Sequence, residues 1–121
     1  MDATLYYINQ PMESKIWHGI IMQIEFDSPS SITMPKGFFR SYYRILSKKE
    51  LVNPKEIEES LEKIFFKYNQ YSINPLATPK GQSILKGKGI RHTSMSVGDV
   101  IRVEKQYYIV AGEGFSKLKL V

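Results

Sequence analysis

Arg91-His92-Thr93-Ser94-Met95-Ser96-Val97-Gly98-Asp99-Val100-Ile101, followed by Tyr107 to Val110 and then Gly114-Phe115, gathers polar side chains, turn glycines and two strand patterns into one short region. Val97 to Val103 reads as a strand, Glu104-Lys105-Gln106 as a turn, and Tyr107 to Val110 as the returning strand. Gly112 and Gly114 break or bulge the chain, after which Phe115 to Val121 forms a last strand. There Lys117 and Lys119 fall on the opposite face from Leu118 and Leu120, so the lysines meet solvent or guard an edge. Upstream, Thr93, Ser94 and Ser96 suit bonding to nearby backbone, and Gly98-Asp99 suits a tight bend. Asp99 is placed to accept N–H bonds there, with His92 donating into the same network.

A helical middle precedes this region. Asn53-Pro54-Lys55-Glu56 supplies an N-cap residue, a first-turn proline and a glutamate at the third helical position. Ile57, Leu61, Ile64, Phe65 and Tyr68 then recur at helical spacing. Glu56, Glu58, Glu59 and Glu62 lie early and Lys63 and Lys67 late, matching the helix dipole, and Asn69 terminates. No partnering group accompanies these carboxylates, so they read as a solvated face rather than acid–base machinery. After a connector from Tyr71 to Leu76, Thr78-Pro79 opens a short second helix that Gly87 and Gly89 stop. The glycines at 81, 87 and 89 lack the Gly-Lys-Ser/Thr ending and the preceding strand of a phosphate loop.

The first half is more strand-like. Leu5 to Ile8 is a short apolar run closed by Asn9-Gln10-Pro11. Ile16 to Phe26 predicts a long strand, with Ile16, His18, Ile20, Met22, Ile24 and Phe26 on one face and Trp17, Gly19, Ile21, Gln23 and Glu25 on the other. On such a strand His18 is a partly buried structural residue. Asp27 to Gly37 reads as a loop, and the aromatic, β-branched run from Phe38 to Leu46 as another strand.

With 121 residues, 42% hydrophobic and 24% charged, the chain fits one ordinary globular domain rather than a disordered segment. These elements predict an α+β fold: a mostly antiparallel curved sheet or small open barrel, packed by one main helix (Pro54 to Tyr68) and a second short helix. There are no cysteines, which removes thiol catalysis and thiolate metal sites and fits a reducing cytoplasm. No apolar run approaches a bilayer span, and Met1-Asp2-Ala3-Thr4 lacks the basic and apolar regions of a signal peptide. The expected location is cytoplasmic, with no membrane partner. Net charge is +5 and unevenly spread: before Ser30 the only basic residue is Lys15, whereas Lys80, Lys86, Lys88, Arg91, Arg102, Lys105, Lys117 and Lys119 follow Pro79. Such a tail could meet phosphates or an acidic partner, although a solvated, solubilising face is the more ordinary reading of it.

His92-Thr93-Ser94-Met95-Ser96-Val97-Gly98-Asp99-Val100-Ile101, the hairpin, Tyr108-Ile109-Val110 and Gly114-Phe115 together resemble the C-terminal signature of YodL-like domains. They also resemble small uncharacterised proteins of bacteriophages and other mobile elements. The upstream pieces agree in order: Tyr43-Arg44-Ile45, Leu61-Glu62-Lys63-Ile64-Phe65, Tyr68-Asn69, Asn74-Pro75-Leu76 and Gly81-Gln82. The resemblance spans Tyr42 to Leu118 and leaves residues 1–41 as a strand-rich N-terminal extension, an added hairpin. It implies a fold and a mobile-element setting, and carries no biochemical activity.

Three functional readings follow. The first is a non-enzymatic module that binds and inhibits a host protein, for which the aromatic segments around Trp17 and Phe38 to Tyr43 offer anchors as well as core. The second is nucleic-acid binding, since Arg40, Tyr42, Arg44, Lys48 and Lys49 interleave cations with stacking faces and strand alternation would align Arg40, Tyr42 and Arg44. The third places His92, Thr93, Ser94, Ser96 and Asp99 around a ligand or partner pocket. No Gly-x-Ser-x-Gly elbow supports a catalytic triad, so no catalytic residue is assigned. His18 and His92 are the only histidines and lie far apart, so neither a metal nor a cofactor is expected. Pairing of copies through an unpaired strand edge stays open.

Overall fold

The computed structural model describes residues 1–9 and 13–121, with the Lys48 side chain also outside the description. Along the chain come β1 (Asp2–Ile8), α1 (Lys15–Met22) with a π turn (Gln23–Asp27), β2 (Ser31–Met34), α2 (Lys36–Tyr42) and β3 (Tyr43–Leu51). Then follow α3 (Ile57–Lys67), a 3₁₀ turn (Pro75–Ala77), α4 (Pro79–Gly87), β4 (Val100–Val103), β5 (Gln106–Val110) and β6 (Phe115–Leu120). The strands form one sheet in the order β2-β6-β5-β4-β1-β3. Only β2 and β6 run parallel; the other neighbours are antiparallel. The fold is α+β, with a mostly antiparallel, open curved sheet as expected.

Strand alternation gives the sheet two buried faces. In β1, Ala3, Leu5 and Tyr7 point to a core shared with Leu61, Ile64 and Tyr68 of the α3 region and Leu85 of α4. Tyr6 and Ile8 point the other way, into a core shared with Trp17, Ile20 and Ile24 of α1 and its π turn and with Phe38 and Phe39 of α2. Helices therefore cover both faces, not one. The expected main and short helices are α3 and α4, and two segments read as strands supply α1 and α2 as the second layer.

Ile16 to Phe26 is the first of these. Nearly every residue there is apolar or small, so periods of 2 and 3.6 both find matches. Trp17, Ile20 and Ile24 form the buried stripe, Ser14 Oγ accepts from Trp17 N at 3.2 Å, and His18 is exposed. Phe38 to Leu46 is the second: it is helical through Tyr42 and extended from Tyr43. Trp17, Phe38, Phe39 and Tyr43 are buried, so these aromatics build core rather than an exposed anchor.

Smaller corrections follow the same logic. The loop from Asp27 to Gly37 contains β2, whose Ile32 and Met34 are buried while Ser31 and Thr33 are exposed. β2 also covers β6, so the exposed Lys117 and Lys119 do not guard an edge. α3 begins at Ile57 because Asn53 first makes its own turn, its Oδ1 accepting from Lys55 N at 3.0 Å. Asn69 ends that helix as predicted, donating to Phe65 O at 2.8 Å. α4 also matches: Thr78 Oγ1 accepts from Gly81 N at 3.0 Å, and Gly89 takes φ +71° beyond its end. A Cβ on Gly81 would overlap the backbone of Pro75 and Leu76, so this glycine serves close packing. Residues 1–41 are not an added hairpin, since β1 pairs with both β3 and β4 inside the sheet. Of the expected stop at Asn9-Gln10-Pro11, the last two residues lie outside the described residues.

Candidate functional site

The segment from His92 to Asp99 runs from α4 to β4, and the strand begins only at Val100. Ser96 to Asp99 instead makes a turn, with Asp99 N donating to Ser96 O at 2.9 Å and Gly98 at φ +97°. This places the Asp99 carboxylate in the interior beyond the end of β1. Asp99 is fully buried; its Oδ1 accepts from Ile8 N at 3.0 Å and its Oδ2 from Ser96 N at 2.7 Å. His92 Nε2 lies 2.9 Å from Oδ2 and 3.1 Å from Oδ1. Burial pushes the Asp99 carboxyl above its ordinary value, against the pull of His92 and the two backbone donors.

Two tyrosines close the site. Tyr7 stacks on the His92 ring at 4.7 Å and 8° and donates to Thr93 O at 3.0 Å. Tyr43 donates to Gly98 O at 2.6 Å. Burial, reinforced by the Asp99 charge, raises both phenols well above the ordinary tyrosine value, so each serves as a neutral donor. Thr93 Oγ1 accepts from Gln82 Nε2 at 2.9 Å, and Ser96 Oγ turns to Ser94 O at 3.3 Å. The predicted residues His92, Thr93, Ser96 and Asp99 thus share one bonded segment, while Ser94 is exposed beside it. Its chemistry is that of a clasp tying β1, β3, α4 and β4 together. One side of the His92 ring, 20% exposed, reaches a concavity with Ile8, Asn9, Lys86 and Arg91. Among the described residues, no cluster of three His, Asp or Glu side chains could hold a metal.

The turn explains its glycine. A Cβ at Gly98 would overlap the Trp17 indole, and the positive φ disfavours any L side chain. Gly98→Ala is expected to cost about 2–3 kcal/mol in thermal or urea unfolding, from strain plus overpacking. A variant as stable as the parent would show that Trp17 has room to move.

The basic aromatic set separates. Arg40 and Tyr42 lie on α2, Tyr42 half-buried against Phe38 at 4.9 Å, while Arg44 and Lys49 lie on β3. Arg44 Nη1 donates to the carbonyls of Ser41 and Tyr43 at 2.9 and 3.1 Å, and the Lys48 side chain is outside the described residues. The helix-to-strand change at Tyr43 removes the alternation that would have aligned these residues.

Two other surfaces went unread. Phe66, Tyr71 and Ile73 are 60%, 84% and 53% exposed. Phe66 had a signal, being an aromatic one place off the buried stripe of α3. The second surface is a concavity of about 720 Å³ lined by Lys36, Arg40, Lys105, Lys117 and Lys119. Lys36 and Arg40 belong to α2, whereas the pairing of Tyr108 with Lys117 sets Lys117 and Lys119 on the sheet face that α3 covers.

No family model matches the chain, and no solved structure matches it. An uncharacterized protein of Acanthamoeba polyphaga mimivirus is 39% identical over 61 residues, covering 50% of this chain and 55% of the relative. The chain therefore spans about half the length of the curated relative it matches. Among the described residues, no helix is long and apolar enough to cross a membrane.

Proposed function

We propose that the chain is a non-enzymatic protein-interaction module of viral or mobile-element type, which binds and inhibits a host protein in the host-cell cytoplasm. The exposure of Phe66, Tyr71 and Ile73 carries this reading. Phe66 and Ile73 share a depression rimmed by Glu59, Glu62, Lys63 and Lys67. Tyr71 borders a second depression with Asn69, Asn74, Gln82, Thr93 and Ser94. An apolar centre within a rim of both charge signs is what protein partners use, and exposed aromatics are the side chains that anchor them.

The backbone beneath is already fixed: Asn74 Nδ2 donates to Tyr68 O at 2.8 Å and Asn69 Nδ2 to Met95 O at 3.1 Å. Such preorganisation lowers the ordering cost of binding. The viral relative supports the same setting. The test is capture from nuclease-treated host-cell lysate on the immobilised chain at low and high salt. A stoichiometric protein is expected to bind, and Tyr71→Ala to weaken it about 30-fold, as for an anchoring aromatic. Capture of no protein would overturn the module reading, and capture untouched by Tyr71→Ala and Phe66→Ala would overturn the assignment of the surface.

A further inference from the structure

The second face of the sheet is covered in part by α1 and its π turn, which bury Trp17, Ile20 and Ile24. The opposite side of the same helix is exposed and carries Lys15, Gly19, Met22 and Phe26. Steps of four, three and four residues set these positions in one stripe along the helix. Met22 and Phe26 are 57% and 71% exposed, with exposed Ile16 beside them, so the stripe is apolar where water alone favours polar residues. Gly19 forms a notch in its middle. A Cβ there would meet nothing within 4 Å and its φ is not positive, so neither packing within the chain nor backbone shape requires glycine. Glycine weakens a helix interior relative to alanine, and what it offers in return is close approach by another chain. We propose that this face of α1 joins two copies of the protein, antiparallel about a two-fold axis, with Met22 of each copy seated on Gly19 of the other. The contact is separate from the surface around Tyr71, which adjoins α3 on the first face of the sheet.

Charge identifies the occupant as a second copy. Lys15 stands at the N-terminus of α1, and Glu25 and Asp27 lie in the π turn that ends the helix, all three exposed. Each sits where the helix macrodipole disfavours its sign, the reverse of α3 with its early glutamates and late lysine. The ion pairs among the described residues involve none of the three. An antiparallel copy reverses the situation: each Lys15 comes to the C-terminal end of the other helix, beside its Glu25, whereas a parallel copy would set like charges together. The stripe is also self-complementary. About an axis between Gly19 and Met22, residue 19 meets 22, and Lys15 meets Phe26, whose ring its stem and ammonium cover. A helix of another protein would need the same reversed charges at the same spacing, which this chain already supplies. The contact is one short helix per copy, about 20 Å long. That falls at the low end of interface sizes, so association is expected in the range of roughly 10–100 µM.

The test is sedimentation equilibrium of the full chain from about 5 to 500 µM, where the apparent mass is expected to rise toward that of two chains. Gly19→Gln fills the notch and is expected to weaken association at least about tenfold. Glutamine is the better helix former, so its melting transition in dilute solution should equal or exceed the parent's. Met22→Gln, at the other half of the same contact, is expected to weaken association similarly. Lys15→Glu and Glu25→Lys are each expected to weaken it about threefold, and an equimolar mixture of the two to recover the parent's affinity, because each reversed charge then meets its complement. Tyr71→Ala is expected to stay within about twofold of the parent, which keeps this result independent of the surface around that residue. A chain that stays monomeric throughout, undiminished association of Gly19→Gln and Met22→Gln, or a mixture of the charge variants no tighter than either alone would overturn the proposal.

Discussion

Asp99→Ala is expected to lower the unfolding free energy by roughly 3–5 kcal/mol, the largest loss of any single polar substitution in this chain. The carboxylate is fully buried and serves three donors: Ile8 N, Ser96 N and His92 Nε2. Removing it strands two backbone N–H groups in the interior, each costing about 1–3 kcal/mol, and leaves the imidazole without its partner. Asp99→Asn keeps the shape but turns an NH₂ toward one of those donors, so an intermediate loss is expected. Urea unfolding of the three chains gives the comparison. A loss below about 1 kcal/mol in Asp99→Ala would mean that the donors find other acceptors and that the clasp does not hold the fold.

Leu61→Ala carries the second large effect, roughly 2–5 kcal/mol. Leu61 is fully buried at the centre of the α3 stripe, in the core it shares with Leu5, Tyr7 and Ile101. Truncation there removes transfer energy and leaves a cavity that a helix fixed at both ends cannot close. Asn53 N donates to Ser60 Oγ at 2.9 Å near one end, and Asn69 ties the other to Met95 O. The measurement is the melting transition, which should fall by several degrees per kcal/mol in a chain of this size. An unchanged transition would sink the docking of α3 on this face.

How far the sequence can be read depends on how many patterns a segment satisfies. α4 was legible from its Thr78-Pro79 cap, and α3 from the helical spacing of Ile57, Leu61 and Ile64 with its early acids and late lysines, although it begins at Ile57 rather than at the Asn53-Pro54 cap. The β4–β5 hairpin and β6 were legible from alternation around Glu104-Lys105 and Gly112 to Gly114. Ile16 to Phe26 failed because a densely apolar segment fits both periods, and burial on the second sheet face selected the helix. β2 was hidden because Ser31-Ile32-Thr33-Met34 is short and takes its order from β6 across the chain.

The site divides likewise. Asp99 as an acceptor of backbone N–H bonds and His92 as its neighbour could be read locally, because Ser96 to Asp99 is a local turn. Tyr7 and Tyr43 could not, since their contacts with the segment span 86 and 55 residues.

The central position of β1 has a consequence for synthesis on the ribosome. Ile8 meets Asp99 across 91 residues, and β1 lies between β3 and β4 in the finished sheet. Translation at about 5–20 residues per second leaves β1 waiting roughly 5–20 s before β4 emerges. Through that interval it can pair with β3 alone, and its other edge stays open to wrong neighbours. Such a high contact order makes closure of the sheet a late, slow event, so a nascent-chain chaperone should raise the yield of correctly closed sheet.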